Sequence, residues 1–410
     1  MSLVEKAEAL SEQLIMWRRH LHAHPELSFM EKATSEYVAS ELAKLKNITI
    51  QQEVGGYGIV ATLTSGVGPT IALRADMDAL PIQENNQHDF VSQYEGVMHA
   101  CGHDAHTAML LGAAHLLDEQ FSKGELQGTV KFIFQPAEEA TDDKGLSGAP
   151  YMIQTGVLED VEAVIALHSC PWHPVGVIQM NHGFSMANVD VFQAKIHASG
   201  GHGGYPQLAT DPLWMLGPVL SSFYGTVGRR ISPLDVVAAS IGRIEAGTAS
   251  NIIPAEVEIE GTLRSYSPAA REQLAEEVEN VFKLVESFGG SYTFELEKGE
   301  PALNNHKNVN GLLEETIQEM YADMYIHWEP FGMGGEDFGY MTEQIPGAMF
   351  FLGCSLEDGL NRDLHTSIFD IDESCLPVGT AIFASAVNRF LKREDTTDEN
   401  VKNKSIQKGA

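Results

Sequence analysis

The strongest constraint on the fold is a rhythm, in which apolar runs too short for helices alternate with longer stretches of helical periodicity. Residues 70–75, 130–134 and 163–167 are strand-like, and residues 31–45 and 103–117 are helical. Strands that alternate with helices predict a mostly parallel sheet flanked by helices. In such a sheet, residues distant in sequence gather beyond the carboxyl ends of the strands. The residues that close each run are therefore the first candidates for a site.

Near Gly183 the texture changes. The next segments read as strand 189–198, helix 211–227, strands 236–244 and 257–263, helix 268–288 and strand 292–296, which is the βαββαβ order of a ferredoxin-like unit. Within residues 268–288, Leu274, Val278, Val281, Phe282 and Val285 share one helical face, with Ser267 as N-cap and Pro268 at the first position. Val257, Ile259 and Leu263 share one strand face. After Pro301 the α/β texture resumes with a helix at 309–324, a Gly-rich run at 332–337, an apolar strand at 348–352 and a helix at 378–391. The expected organisation is a catalytic domain built from residues 1–184 and 299–393, interrupted by an inserted unit at 185–298 and followed by a disordered tail at 394–410.

The chain has 410 residues, with 26 basic against 57 acidic, a formal net charge of -31. That balance argues against nucleic acid or an anionic membrane as partner and leaves small molecules. No apolar run approaches the roughly 20 residues of a bilayer span, and Glu5, Glu8 and Glu12 stand where a signal peptide is basic and then apolar. A cytoplasmic protein is expected. The four cysteines, 101, 170, 354 and 375, have no repeated spacing, so a disulfide framework is not expected and Cys101 is free to serve as a thiolate.

Cys101 and His103 sit where a loop enters the helix at 103–117, and thiolate and imidazole suit zinc and neighbouring transition metals. An isolated pair of this kind is usually an ordinary buried cysteine beside a helix-start histidine. Glu138 and Glu139 tip the balance: they follow the strand at 130–134, and two adjacent carboxylates at a strand exit are costly unless a cation holds them. One can bind metal while its neighbour moves protons. His168 closes the run 163–167, and His365 lies in Leu364-His365-Thr366. Asp76 and Asp78 follow the strand at 70–75 and read either as a capped turn or as carboxylates that orient a ligand histidine. In the inserted unit His202 is flanked by four glycines, and Asn251 and Arg264 are candidate polar clamps, the arginine suited to a substrate carboxylate. His20, His22 and His24 end the first helix, where helix electrostatics favour histidine, and are read as structural.

Taken together, the segments 18–26, 74–81, 99–106, 135–139, 200–206, 334–338 and 364–366 closely resemble the two-metal aminoacylase and carboxypeptidase family of metallopeptidases. The match is to its amidohydrolase branch, which contains hippurate hydrolase, N-acyl-amino-acid deacetylases and plant indole-acetyl-amino-acid hydrolases. The resemblance implies that Cys101, His103, Glu139, His168 and His365 hold two divalent ions, zinc or manganese, with cobalt or nickel also compatible. It implies Glu138 as general base and Asp78 as the aspartate behind a ligand histidine. It further implies a homodimer paired through the inserted unit, with His202 presented to an active site in the same chain or in the partner. Other branches carry a metal-binding histidine where this chain has Asp76, which leaves the role of Asp76 open.

The expected reaction is hydrolysis of an N-acyl-amino acid by water held between the ions, with Glu138 shuttling the proton, His202 donating to the oxyanion, and Arg264 and Asn251 holding the carboxylate. The alternatives are a dipeptide-cleaving carboxypeptidase, an N-acetyl-diaminopimelate deacetylase, and a metal-dependent binding protein without chemistry.

Overall fold

Four apolar runs lie side by side and parallel. In the computed structural model, which describes residues 1–393, the strands Gly128–Gln135, Thr70–Asp76, Ala163–Cys170 and Gly347–Gly353 are successive neighbours at the centre of an eight-stranded sheet. The expected tail at 394–410 lies outside the described residues. Antiparallel Gly58–Ser65 and Ile48–Val54 extend one edge, and Val177–Met180 with Tyr325–Trp328 the other.

Side chains alternate across the central strands. Ile71, Leu73 and Ala75 enter the larger core, which includes residues of the helices His103–Ser122 and Cys375–Leu391. Ala72 packs on the opposite face with Ile133, Val164, Met349 and Phe351. Arg74 and Asp76 share the parity of Ala72, so the strand itself delivers two buried charges to that face.

The helix His103–Ser122 runs beyond the expected residue 117 because its apolar burial continues through Phe121. Its N-cap, Gly102, has φ +94°, and a Cβ there would stand 2.7 Å from Ser169 Oγ. Only glycine lets this turn approach the strand that carries His168 so closely.

Residues 188–298 form a second, four-stranded antiparallel sheet, ordered Val237–Ala246, Glu256–Ser265, Asn188–His197, Ser291–Lys298. With the helices Pro212–Arg230 and Pro268–Phe282 this gives the βαββαβ sequence of elements. Phe192, Ile196, Phe223, Ile259, Leu274, Val278 and Phe282 fill its own core. The N-cap of the second helix is Ser267, whose hydroxyl accepts from Ala270 N. That helix passes into a 3-10 turn at Lys283–Phe288, which ends at Gly289 with φ +85°. Among the described residues no helix is long and apolar enough to cross a membrane.

Candidate metal centre

The candidate ligands collect beyond the carboxyl ends of the central parallel strands. Asp76 ends Thr70–Asp76, Glu138 and Glu139 follow Gly128–Gln135, and His168 lies near the end of Ala163–Cys170. His365 comes from a loop tied down by its own N–H, which donates to Ala100 O at 2.8 Å. Ala137 and His365 take positive φ values, +50° and +59°. Left-handed backbone costs a non-glycine residue about 1–2 kcal/mol, so the surrounding fold must hold these two side-chain positions in place.

Cys101 Sγ lies 3.4 Å from His168 Nε2, and His103 Nε2 lies 3.7 Å from Glu139 Oε1 and 4.0 Å from Glu138 Oε2. His365 Nε2 is 3.3 Å from Glu139 Oε1. The ligand atoms form overlapping sets: those of Cys101, His103 and His168 lie within 4.8 Å of one another, as do those of Cys101, Glu139 and His365. All five residues carried as ligands, together with Glu138, thus meet in one place.

The orientation of each ring is set from behind. His103 Nδ1 bonds to Asp78 O at 2.9 Å and faces Asp78 Oδ1 at 3.2 Å, which turns Nε2 toward the cluster as a lone pair. His168 Nδ1 donates to Ser169 O at 2.8 Å, leaving its Nε2 toward Cys101. The second oxygen of Asp78 accepts from Ser28 Oγ at 2.6 Å and from Glu139 N at 2.9 Å. His103 Nε2 and Glu139 Oε1 are both buried without a hydrogen-bond partner. Buried orphan atoms are costly, and a cation between them would satisfy both. The donor set of one sulfur, three imidazoles and a carboxylate fits divalent transition metals.

The electrostatics of the side chains themselves point the same way. Burial, reinforced by Glu139 and Glu138, pushes the Cys101 thiol well above its ordinary range. Burial acts to lower His103, but Asp76, Asp78 and Glu139 prevail and raise it to about 10. Burial, with Glu336 and Glu139, drives the Glu138 carboxyl well up. Too many acids share one dry space, and divalent cations would offset them.

A model of Peptidase family M20/M25/M40 matches residues 72–389. The chain belongs to this family. The N-acetylcysteine deacetylase of Bacillus subtilis is 37% identical over 380 residues, covering 92% of this chain and 96% of the relative. The Arabidopsis thaliana IAA-amino acid hydrolase ILR1-like 2 is 36% identical over 393 residues, covering 95% and 88%. Among solved structures, the Bacillus subtilis YXEP protein, described as a dinuclear metal binding peptidase of the M20 family, superposes with a TM-score of 0.81 at 34% identity, covering 94% of this chain and 99% of that one. The chain is thus an M20-family hydrolase of amide bonds.

In this M20 chain several site residues escaped the sequence reading. Arg74, fully buried, donates to Asp76 Oδ2 at 2.7 Å, to Asp337 Oδ1 at 2.8 Å and to Gln135 Oε1 at 3.0 Å. Asp337 also accepts from Ser147 Oγ and Ala149 N, and its own N–H reaches Glu138 Oε1 at 3.5 Å. Asp76 is bonded to His106 Nδ1 at 2.6 Å, and against the effect of burial His103, His106 and Arg74 hold it well below the usual carboxylate range. It faces the cluster at 3.7 Å from His103 Nε2. The signals were present: Arg74 lies two residues before Asp76, and Glu336-Asp337 repeats the adjacent-acid pattern of Glu138-Glu139. His22 is buried, with Nδ1 2.7 Å from Asp104 Oδ2 and Nε2 3.2 Å from Glu84 Oε1.

A cavity of about 550 Å³ opens on the ligands and is walled by Trp172, Phe331, Arg264 and Glu300, among others. Arg264 reaches it from the second sheet and donates to Met333 O at 2.7 Å. His202 and Asn251 do not line it. They are exposed and adjacent, where Gly201–His202 pairs with Ile252–Ile253.

Proposed function

We propose that this protein hydrolyses N-acyl-amino acids to a carboxylic acid and a free amino acid. The observation that carries the reading is Glu138, a carboxylate beside the candidate ligands that is placed to move a proton. Its oxygen stands 4.0 Å from His103 Nε2, and its carboxyl is pushed up by burial, Glu336 and Glu139. A carboxyl so placed can take a proton and later return it.

In this reading Cys101, His103, Glu139, His168 and His365 hold two divalent ions, zinc or manganese, with cobalt or nickel also compatible. When bound, such ions acidify water and polarise the scissile carbonyl. Glu138 takes the proton of the attacking water and returns it to the nitrogen of the leaving amino acid. Asp78 keeps the His103 ring in the ligating tautomer, and Asp337 N–H orients Glu138. Arg264 binds the α-carboxylate with its planar fork. Trp172 and Phe331, with ring centroids 4.7 Å apart, offer an apolar wall to the acyl group.

His202 and Asn251 complete the site from a second copy. His202 Nδ1 accepts from Gly204 N at 2.9 Å, so the neutral ring carries its proton on Nε2 and can donate to an oxyanion. A homodimer through the inserted unit, residues 185–298, is supported by the exposed Leu213, Trp214, Tyr224, Val236 and Ile244. We place the protein in the cytoplasm, where its four buried, free thiols stay reduced.

The test is turnover of N-acetyl- and N-benzoyl-amino acids against dipeptides by metal-loaded protein. Release of amino acid from the N-acyl series supports the reading. Cleavage confined to dipeptides would make the chain a carboxypeptidase, and binding without cleavage would make it a metal-dependent binding protein.

A further inference from the structure

Beside Glu138, Glu139 and Glu336, the cavity is lined by Glu300, a carboxylate with no task in the chemistry above. Glu300 stands where the chain leaves the strand Ser291–Lys298 and re-enters the larger unit, and its main-chain oxygen accepts from Val189 N at 3.2 Å. The side chain has a built position: a Cβ at Gly335 would come within 2.7 Å of Glu300 Oε2 and 2.8 Å of Val189 Cγ2. The absence of a side chain at 335 gives the carboxylate its place. The charge of Arg264 acts on it, but no side-chain hydrogen bond is among the main influences on its carboxyl. Burial, followed by Asp337, pushes its carboxyl up to about 7, and the opposing pull of Arg264 does not offset them.

The neighbouring cation is engaged through one nitrogen, Nη1, which leaves the rest of its fork for a substrate carboxylate. Arg264 donates to Met333 O, two residues before Gly335, so one cationic and one anionic group stand against the same short segment of the wall. An amino acid moiety held through its α-carboxylate by Arg264 presents its side chain one bond away, within reach of that segment. An apolar side chain there would further desolvate an unpaired carboxylate, whereas a cationic one would pair with it.

We propose that Glu300 is a specificity residue that selects N-acyl-amino acids whose side chain ends in an ammonium or guanidinium group. The inference rests on the amidohydrolase reading above and on Arg264 as carboxylate clamp. A site that hydrogen-bonds a polar substrate group discriminates strongly against analogues lacking it.

The experiment compares kcat/KM for N-acetyl-lysine and N-acetyl-norleucine, which share a side-chain skeleton, in metal-loaded wild-type protein, Glu300→Gln and Glu300→Leu. The wild type should favour lysine by about tenfold or more, and the lysine-to-norleucine ratio should fall by about tenfold or more in both variants. Because the readout is a ratio within one protein, a partly inactive variant still reports. A wild type that prefers norleucine, or a ratio that Glu300→Gln leaves unchanged, overturns the inference while leaving the amidohydrolase reading intact. Failure to cleave either substrate or any other N-acyl-amino acid removes both.

Discussion

Replacing Asp78 with Asn should weaken metal binding without disturbing the fold. In the native arrangement one oxygen of Asp78 faces His103 Nδ1 at 3.2 Å, and the other accepts from Ser28 Oγ and Glu139 N. A carboxylate can accept on both sides, whereas an amide offers one oxygen and one NH2 group. If the NH2 group turns toward Glu139, two donors confront each other and the main chain carrying a ligand carboxylate shifts. If it turns toward His103, the ring loses its charged partner and keeps only Asp78 O, at 2.9 Å, to hold the ligating tautomer. Loss of a carboxylate behind a ligand histidine typically costs 10- to 100-fold in metal affinity, or about 1.4–2.8 kcal/mol. The assay is competition with a chelator of known affinity, read as metal retained per chain, with activity followed as metal is added back. Affinity should fall by about that factor, and excess metal should restore most of the activity. An affinity within about twofold of wild type would refute the argument that Asp78 positions these ligands.

Glu138→Gln should keep its metal content and lose about 10²- to 10⁴-fold in turnover; near-normal turnover in single-turnover kinetics would remove Glu138 as base. Cys101→Ser should lose metal on gel filtration against a weak chelator, and a variant retaining two tightly held ions would show that the thiolate is dispensable. Metal affinity should keep rising with pH up to about 10, because the raised His103 and the raised Cys101 thiol must each release a proton before they coordinate. Calorimetry in buffers of different ionisation enthalpy should count those protons, and a count of zero contradicts the scheme. Arg18 is buried against Asp104 at 3.0 Å, Asp370 at 2.8 Å and Glu373 at 3.2 Å. Arg18→Met strands these charges and should cost about 3–5 kcal/mol in urea unfolding, with a loss under about 1 kcal/mol arguing against a structural role.

The four central strands were legible in the sequence because burial on both faces writes them as mostly apolar runs, broken by Lys131 and by Arg74 and Asp76. The edge strands Ile48–Val54 and Tyr325–Trp328 were not, since they are largely solvent-facing and carry polar residues such as Gln51, Gln52 and His327. The second sheet was readable from alternation in residues 257–263 and helical periodicity in 268–288, both products of one-sided burial. At the site, Cys101, His103, Glu138 and Glu139 were found because their residue types are dense within short motifs. Arg74, His106 and Asp337 work through partners far away in the chain, as Arg74 does with Asp337, 263 residues on, and the local signals at 74–76 and 336–337 do not say which residues pair. His202 and Asn251, singled out separately in the sequence, stand next to each other in the fold but outside the cavity of one chain.

The most direct test is anomalous diffraction from metal-loaded crystals, collected on either side of the metal absorption edge. Two peaks should appear among Cys101, His103, Glu139, His168 and His365, with Glu138 in neither coordination sphere. A single ion, peaks placed elsewhere, or Glu138 bound directly to metal would contradict the account.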